Sequence, residues 1–543
     1  MNQTEKPPRT HKRLPLFLVA LAAAFAFQGS RGLWGSTEGR YAECAREMLA
    51  TGHWLVPHLD GRPHWSKPPL GYWAMMAGMA VLGANEWGAR AANALAFVVL
   101  VLAVARVGAL LWDRRTGRVA GLIAATSPFL VAGANVVSLD LLLALWVVLV
   151  MMAYAEARRA SRPRLRRLWV VALWAFAGAG FLTKGPAVLV AAVVPLLAFH
   201  FWAVRRRWTR PRLFSPVGLL LFVAIGFGWY LWAVLSTPGL LTYLLGAEVV
   251  ARTTGERFGR NPEWYKPFAL YLPAFVFGPG LWAIYWFAPL RGGGAGRRFA
   301  SFVAGLGRND PAVFLLLWIA LPLLVFSIVR SRMPLYVLPL LPPVALVLAR
   351  FAVRRIETGG SVLGFRLALL AACVLAVAGK AAVARLPARE DARVVFHACQ
   401  PFDRPGTTFV LYALNPNYGL EFYLGGRLLH VSPRDPSEER LLPLLADLER
   451  SAPGGQCVLV VHRAQFLRAE ALLDQAGRSF RLRPAGPEYR LLVLTPPASA
   501  RCSGTAAPAG RRPASPLPAS ASWSPTEIRS GWSGESTASG RCA

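Results

Sequence analysis

Acidic side chains are scarce in this sequence: 28 Asp and Glu stand against 60 Lys and Arg among 543 residues, and charged residues make up only 16% of the chain. With 55% hydrophobic residues and a positive mean hydropathy, this sparseness excludes an ordinary soluble globular protein. Cysteine is scarce too. The six cysteines show no metal-like spacing, which leaves no cysteine metal site to consider. Cys399 and Cys457 would both lie outside a membrane, where a disulfide is permitted, but spacing does not show that they meet. No internal repeat is evident. The glycine-rich run RGGGAGRR, from Arg291 to Arg298, neither follows a strand nor precedes a phosphate-binding helix, so it reads as a flexible linker.

What the chain has in quantity is apolar runs. A helical span needs about 20 apolar residues, and candidates lie near 14–29, 89–112, 118–136, 138–156, 168–182, 185–204, 215–235, 266–290, 311–329, 334–351 and 364–384. The segment 70–84 is apolar but short, and either crosses or lies in the interface. These runs describe a polytopic α-helical membrane protein with about 11–13 transmembrane helices.

The formal charge of +32 invites a nucleic-acid reading, which the location of the charge removes. Basic clusters precede the first span and fill short loops at Arg114–Arg118, Arg158–Arg167, Arg205–Arg212, Arg291–Arg298 and Arg350–Arg355. Placing all of them in the cytoplasm satisfies the positive-inside rule, provided that 70–84 does not cross. The N-terminus is then inside, and the loops 30–88 and 236–265 and everything after residue 384 are outside. The first apolar segment lacks a small-residue cleavage site and reads as a retained helix.

Residues 34–73 form a polar stretch that cannot sit in hydrocarbon. Within it, Tyr41, Ala45, Met48 and Leu49 fall on one helical face and Arg40, Glu43, Arg46 and Glu47 on the other, which predicts a helix lying on the bilayer. Thr37 is placed to cap it, with Glu38 in its first turn. After residue 385 short strands are expected at 408–412, 427–431, 457–461 and 489–494, with helices around 437–450 and 464–476. They predict a small α/β domain over 385–497. Residues 498–543 have the composition of a disordered tail.

The order TEGRYAECAREML, TGHWLVP, KPPLGYW and NEWGAR resembles the first outer loop of the GT-C glycosyltransferases that use polyprenyl-phosphate sugars. The likeness runs from about residue 30 to about 350. It is greatest to the 4-amino-4-deoxy-L-arabinose transferases of lipid A, with protein O-mannosyltransferases as more distant relatives. It implies GT-C architecture over residues 1–384 and sugar transfer from a polyprenyl-phosphate donor to a lipid or protein acceptor. It also implies a multi-pass protein of the bacterial inner membrane.

Such chemistry needs cations around the leaving phosphate, where negative charge builds as the sugar departs. Arg40, Lys67, Arg252 and Arg332 are the candidates, with Tyr41, Lys184, Glu248 and Tyr336 as further site residues. Arg332 and Tyr336 lie in SRMPLYVLPLLPP, and Lys184 in FLTKGP, both similar to family motifs at outer helix ends. The alternative for either base is a cation snorkelling from a helix end. Arg252 and Glu248 sit in an outer loop that is either an anion site or a solvated loop. Asp140, in NVVSLDLLLALW, is a carboxylate beside hydrocarbon, costly without a partner or a role. The alternative is a turn aspartate.

The family commonly has Asp-Glu before its Arg-Tyr; here the pair is Thr37-Glu38, so Glu38 becomes the candidate base with Asp140 as the second carboxylate. Ser66 stands where aminoarabinose transferases often have an acidic residue before Lys-Pro, and His53, His58 and His64 lack ligand spacing. No metal or other cofactor is expected. The rival readings are a protein O-mannosyltransferase-like enzyme and, from another class, a lipid flippase or transporter. Paired halves or matched broken spans would mark the latter, and neither is seen.

Overall fold

The structure, a computed structural model, describes residues 14–35, 37–206, 211–246, 260–290, 310–385, 391–434, 440–451 and 455–495. Glu248, Arg252, the Arg291–Arg298 run and the tail from 498 lie outside the described residues. The chain divides into two units, Met1–Arg31 with Cys44–Leu386, and Gly32–Glu43 with Pro387–Ala543.

The first unit is helical. It contains α1 (Leu14–Phe25), most of α2 (Thr37–Thr51), a two-stranded ribbon β1–β2 (His58–Leu59, Arg62–Pro63), α3 (Leu70–Leu82), α4 (Glu86–Leu111), α5 (Arg114–Thr126) and α6 (Pro128–Asn135). Then come α7 (Asp140–Arg159), α8 (Pro163–Lys184), α9 (Val194–Arg205), α10 (Pro216–Ser236), α11 (Leu240–Tyr243), α12 (Lys266–Val276) and α13 (Asp310–Ile328). A 3-10 stretch, Pro334–Leu340, leads into α14 (Leu341–Glu357), and α15 (Val362–Arg385) closes the unit.

Local chemistry sets the boundaries. Asn85 caps α4 by accepting the Gly88 N–H at 3.0 Å, and Asp113 caps α5 through the Arg115 and Thr116 N–H groups. Pro128 ends α5, and the chain bends by 57° into α6. Gly185, at φ +66°, turns the chain sharply after Lys184.

Each of the eleven apolar runs carries a helix. Among the described residues seven helices are long and apolar enough to cross a membrane, and nine if each of two bent pairs counts as one span. Leu14–Phe25, Leu70–Leu82 and Leu189–Arg205 are shorter apolar helices. The eleven expected runs include the first and third of these, and hydropathy does not register the breaks at Pro128 and at Gly278–Gly280 that bend two others. Asp140–Arg159 and Pro334–Glu357 are each 78% buried and form the interior, whereas Val362–Arg385 is 6% buried and presents its sides to lipid. At the far end of α7, Arg158 makes a forked contact to Asp310 at 3.0 and 2.5 Å, and Arg106 reaches Glu156 at 2.5 Å.

The second unit is built on a five-stranded sheet. Its strands are β3 (Thr408–Tyr412), β4 (Leu428–Val431), β5 (Cys457–His462), β6 (Phe480–Ala485) and β7 (Tyr489–Leu494), in the order β4-β3-β5-β7-β6. β4, β3 and β5 are parallel; β7 and β6 are antiparallel additions. Alternation along β3 and β5 sends Phe409, Leu411, Val458 and Val460 to one face, with α16 (Ala392–Cys399) and α17 (Tyr418–Tyr423). Val410, Tyr412, Leu459 and Val461 go to the other face, with α18 (Leu441–Ser451) and α19 (Phe466–Gln475). Cys399 packs on the first face and Cys457 on the second; both thiols are free, and the disulfide that spacing left open is not formed.

Two expectations change here. The α/β unit includes Gly32–Glu43, taken from the opening loop: Leu33 donates to the Tyr423 hydroxyl at 2.9 Å, and Ala392 donates to the Leu33 carbonyl at 3.0 Å. The helix α2 does not lie on the bilayer with a wet polar face. Glu38 and Glu43 are fully buried and Glu47 nearly so, while Arg40 and Arg46 are half-buried.

Candidate functional site

α7 and α8 are nearly equal in length and joined by a short turn, so the start of one returns beside the end of the other. That places Asp140, the first residue of α7, next to Lys184, the last residue of α8. The two form an ion pair, with side chains only 11% and 12% exposed. Each end suits its charge, a carboxylate at a helix N-terminus and an ammonium at a C-terminus. The Lys184 ammonium also stands 4.9 Å from the centre of the Tyr336 ring. Three residues expected at the site, Asp140, Lys184 and Tyr336, are therefore brought together from three separate segments.

The Lys67 turn belongs to the same end of the first unit. Trp65, Leu70 and Trp73, which flank it, pack against Leu182, Trp229 and Ala233 at the ends of α8 and α10. The indole N–H groups of Trp73 and Trp229 fix the preceding loop by donating to the carbonyls of Trp54 and Leu55 at 2.6 and 2.7 Å. Lys67 itself is half-buried and donates to the Ser66 carbonyl at 2.6 Å.

Arg332 has a different setting. It is buried, and its guanidinium donates to the carbonyls of Asn261, Glu263 and Ser327 at 3.1, 2.9 and 2.9 Å. These bonds tie residues 261–263 to the end of α13, so the side chain holds backbone at this position. In the second unit, Glu38 accepts the Trp34 N–H at 3.2 Å while Trp34 accepts the Gly39 N–H at 2.8 Å, a reciprocal clasp at the start of α2. Arg40 lies 5.6 Å from the ring of Tyr41, which is buried.

The histidines go separate ways. His53 and His58 have ring centres 4.6 Å apart, and burial holds the His58 imidazole below its ordinary range despite a bond to the Val56 carbonyl. His64 pairs with the Ser66 hydroxyl at 2.6 Å.

Arg90 was given no role from the sequence, although it ends the NEWGAR motif. It is 1% exposed and donates to the carbonyls of Gln28 and Arg31 at 3.0 and 2.7 Å. Asn93, one helical turn on, donates to Val136 and Ser138 at 2.7 and 3.1 Å and so fixes the turn that delivers Asp140. The signal was an arginine and an asparagine three apart at the start of an otherwise apolar helix.

Residues 66–232, which contain Lys67, Asp140 and Lys184, match the family described as dolichyl-phosphate-mannose-protein mannosyltransferase. The chain is 32% identical over 370 residues to the undecaprenyl phosphate-alpha-4-amino-4-deoxy-L-arabinose arabinosyl transferase of Pseudomonas aeruginosa, covering 66% of this chain and 64% of that protein. It is 32% identical over 354 residues to the Sodalis glossinidius transferase of the same description, numbered 2, covering 64% and 61%. The match thus spans a little under two thirds of these relatives' length.

The backbone is similar to that of ArnT from Cupriavidus metallidurans, solved bound to undecaprenyl phosphate. The TM-score is 0.67 at 21% identity, over 91% of this chain and 99% of that one. The oligosaccharyltransferase of Archaeoglobus fulgidus follows at 0.50 and 12% identity, over 84% and 70%. This is the GT-C fold. The resemblance to aminoarabinose transferases read from the loop motifs holds, and the Asp140–Lys184 pair lies inside the GT-C region matched by the mannosyltransferase family.

Proposed function

We propose that this protein is a membrane glycosyltransferase that moves a sugar from a polyprenyl-phosphate donor to an envelope glycolipid, of the lipid A kind, on the outer side of the bacterial inner membrane. The observation that carries this reading is the buried Asp140–Lys184 pair beside the Lys67 turn, inside the region that matches a family of lipid-phosphate sugar transferases. In the reaction an acceptor oxygen bonds to the anomeric carbon as the bond from that carbon to the phosphate oxygen breaks. The polyprenyl phosphate leaves with the electron pair, and the sugar centre inverts. Lys184 and Lys67 stabilise the charge that develops on the phosphate, and Asp140 holds the Lys184 ammonium in place. Arg332 acts by positioning the backbone around 261–263. Glu38 takes the proton of a hydroxyl acceptor. No cofactor enters this scheme.

The basic loops support a cytoplasmic N-terminus and a periplasmic α/β unit. A second reading, transfer to protein hydroxyls, is favoured by the mannosyltransferase match. Mass spectrometry of envelope glycolipids and glycoproteins from cells with and without the protein separates the two. A sugar lost from glycolipid supports the first, a sugar lost from protein supports the second, and no change contradicts both.

A further inference from the structure

We infer that the second unit carries a binding pocket for a short saccharide, neutral or amino-substituted, at the carboxyl ends of its parallel strands. The topology opens it. The connection leaving β3 runs to α17 on one face of the sheet and on to β4, whereas the connection leaving β5 runs to α19 on the other face and away to β6. Neighbouring parallel strands whose connections diverge leave a crevice at their carboxyl ends, where ligands bind in open α/β sheets.

A cavity of about 410 Å³ occupies that crevice. It falls within the range of small-molecule sites, roughly 300–1,000 Å³. Six polar groups line it from four segments: Asn415 and Asn417 after β3, His462 at the end of β5, Glu488 and Tyr489 before and at the start of β7, and Asp391 at the cap of α16. Several are held in place already. Asn417 accepts the Leu420 N–H at 3.0 Å and donates to the Tyr489 hydroxyl at 3.2 Å, and His462 stands 3.6 Å from Glu488.

The chemistry of this wall selects the ligand class. Carboxylates, carboxamides, an imidazole and a phenol are planar groups that accept from and donate to vicinal hydroxyls, and Tyr489 adds an aromatic body. Asp391 and Glu488 are both acidic, and Arg434 stands behind Asn415, donating to its side-chain oxygen at 2.9 Å. The two carboxylates would attract a sugar amine. Gly35 also lines the cavity, and its carbonyl accepts the Gly419 N–H at 3.2 Å, so the opening loop contributes to the wall. That the saccharide is part of the glycolipid acceptor rests on the transferase reading above; that the pocket binds saccharide does not.

The test uses the full-length protein in detergent, titrated calorimetrically with a glucosamine disaccharide, with a neutral glucose disaccharide and with inorganic phosphate. Glu488→Gln removes a carboxylate, and Ala464→Trp fills the cavity from an exposed position on its rim. Saturable saccharide binding, weakened tenfold or more by each variant and not displaced by phosphate, is the expected result. Absence of saturable binding to the unmodified protein, or unchanged binding in folded Glu488→Gln, overturns the pocket. Displacement by phosphate overturns the ligand class. Sugar transfer is measured in parallel. Transfer with no saccharide binding overturns the pocket and leaves the transferase reading intact, whereas binding without any transfer keeps the pocket and overturns that reading instead.

Discussion

Asp140 and Lys184 show how far a single residue can be read from sequence. A carboxylate between two apolar runs and a lysine before Gly-Pro are each ambiguous alone. Their pairing depends on α7 and α8 returning to the same level, which no local pattern states. Breaking a buried pair by removing one partner costs about 3–5 kcal/mol, because the other charge is left uncompensated. Asp140→Asn and Lys184→Met should therefore each lower stability by that order in a denaturation assay. The double variant should recover much of the loss without recovering turnover. Full turnover in the double variant would make the pair purely structural.

Glu38→Gln addresses the missing family aspartate. The amide oxygen can still accept the Trp34 N–H, so the fold should hold while turnover falls by about 10²- to 10⁴-fold, the usual worth of a general base. A kinetic assay showing full turnover would take Glu38 off the catalytic path. Arg332 teaches the opposite lesson. A motif arginine was legible as a phosphate ligand, yet its bonds go to three carbonyls that only the folded chain brings near it.

At the level of elements, long apolar helices and the inner strands were legible because their periodicity reflects burial. The edge strand β6 was not. Arg481, Leu482, Arg483 and Pro484 are all exposed there, so the hydrophobic alternation that marks a strand is absent. The short helices α16 and α17 escaped for a related reason, being too brief for a period to show. The helix α2 was legible as a helix but misjudged in its setting, since an amphipathic pattern does not say whether its charged face meets water or buried partners. The cysteine pair gives an element-scale check. Burial pushes the Cys399 and Cys457 thiols up to about 12. At pH 8 the reactive thiolate is then about one part in 10⁴. Peptide mass spectrometry after iodoacetamide treatment of the native protein should find both unlabelled, and labelled only after denaturation. Rapid native labelling of either would contradict its burial in the sheet unit.

For the whole molecule, composition made the membrane class legible and loop charge predicts an orientation, while the division into units was only half visible. The change of pattern near 385 marks one boundary. The inclusion of Gly32–Glu43 in the same unit is long-range and leaves no trace in composition. The orientation is tested by reporter fusions after Arg162, Arg207 and Arg427, which should read cytoplasmic, cytoplasmic and periplasmic. A cytoplasmic reading at Arg427 would break the odd number of crossings on which the proposal stands. The most direct test of the account is turnover by the purified full-length protein, supplied with a polyprenyl-phosphate-linked aminopentose and a lipid A acceptor, with product measured by mass spectrometry. The account predicts glycosylated lipid from the unmodified protein and a loss of about 10²- to 10³-fold in Lys67→Ala, the scale of one transition-state donor. Absence of product from folded protein, or equal rates with and without Lys67, would contradict it.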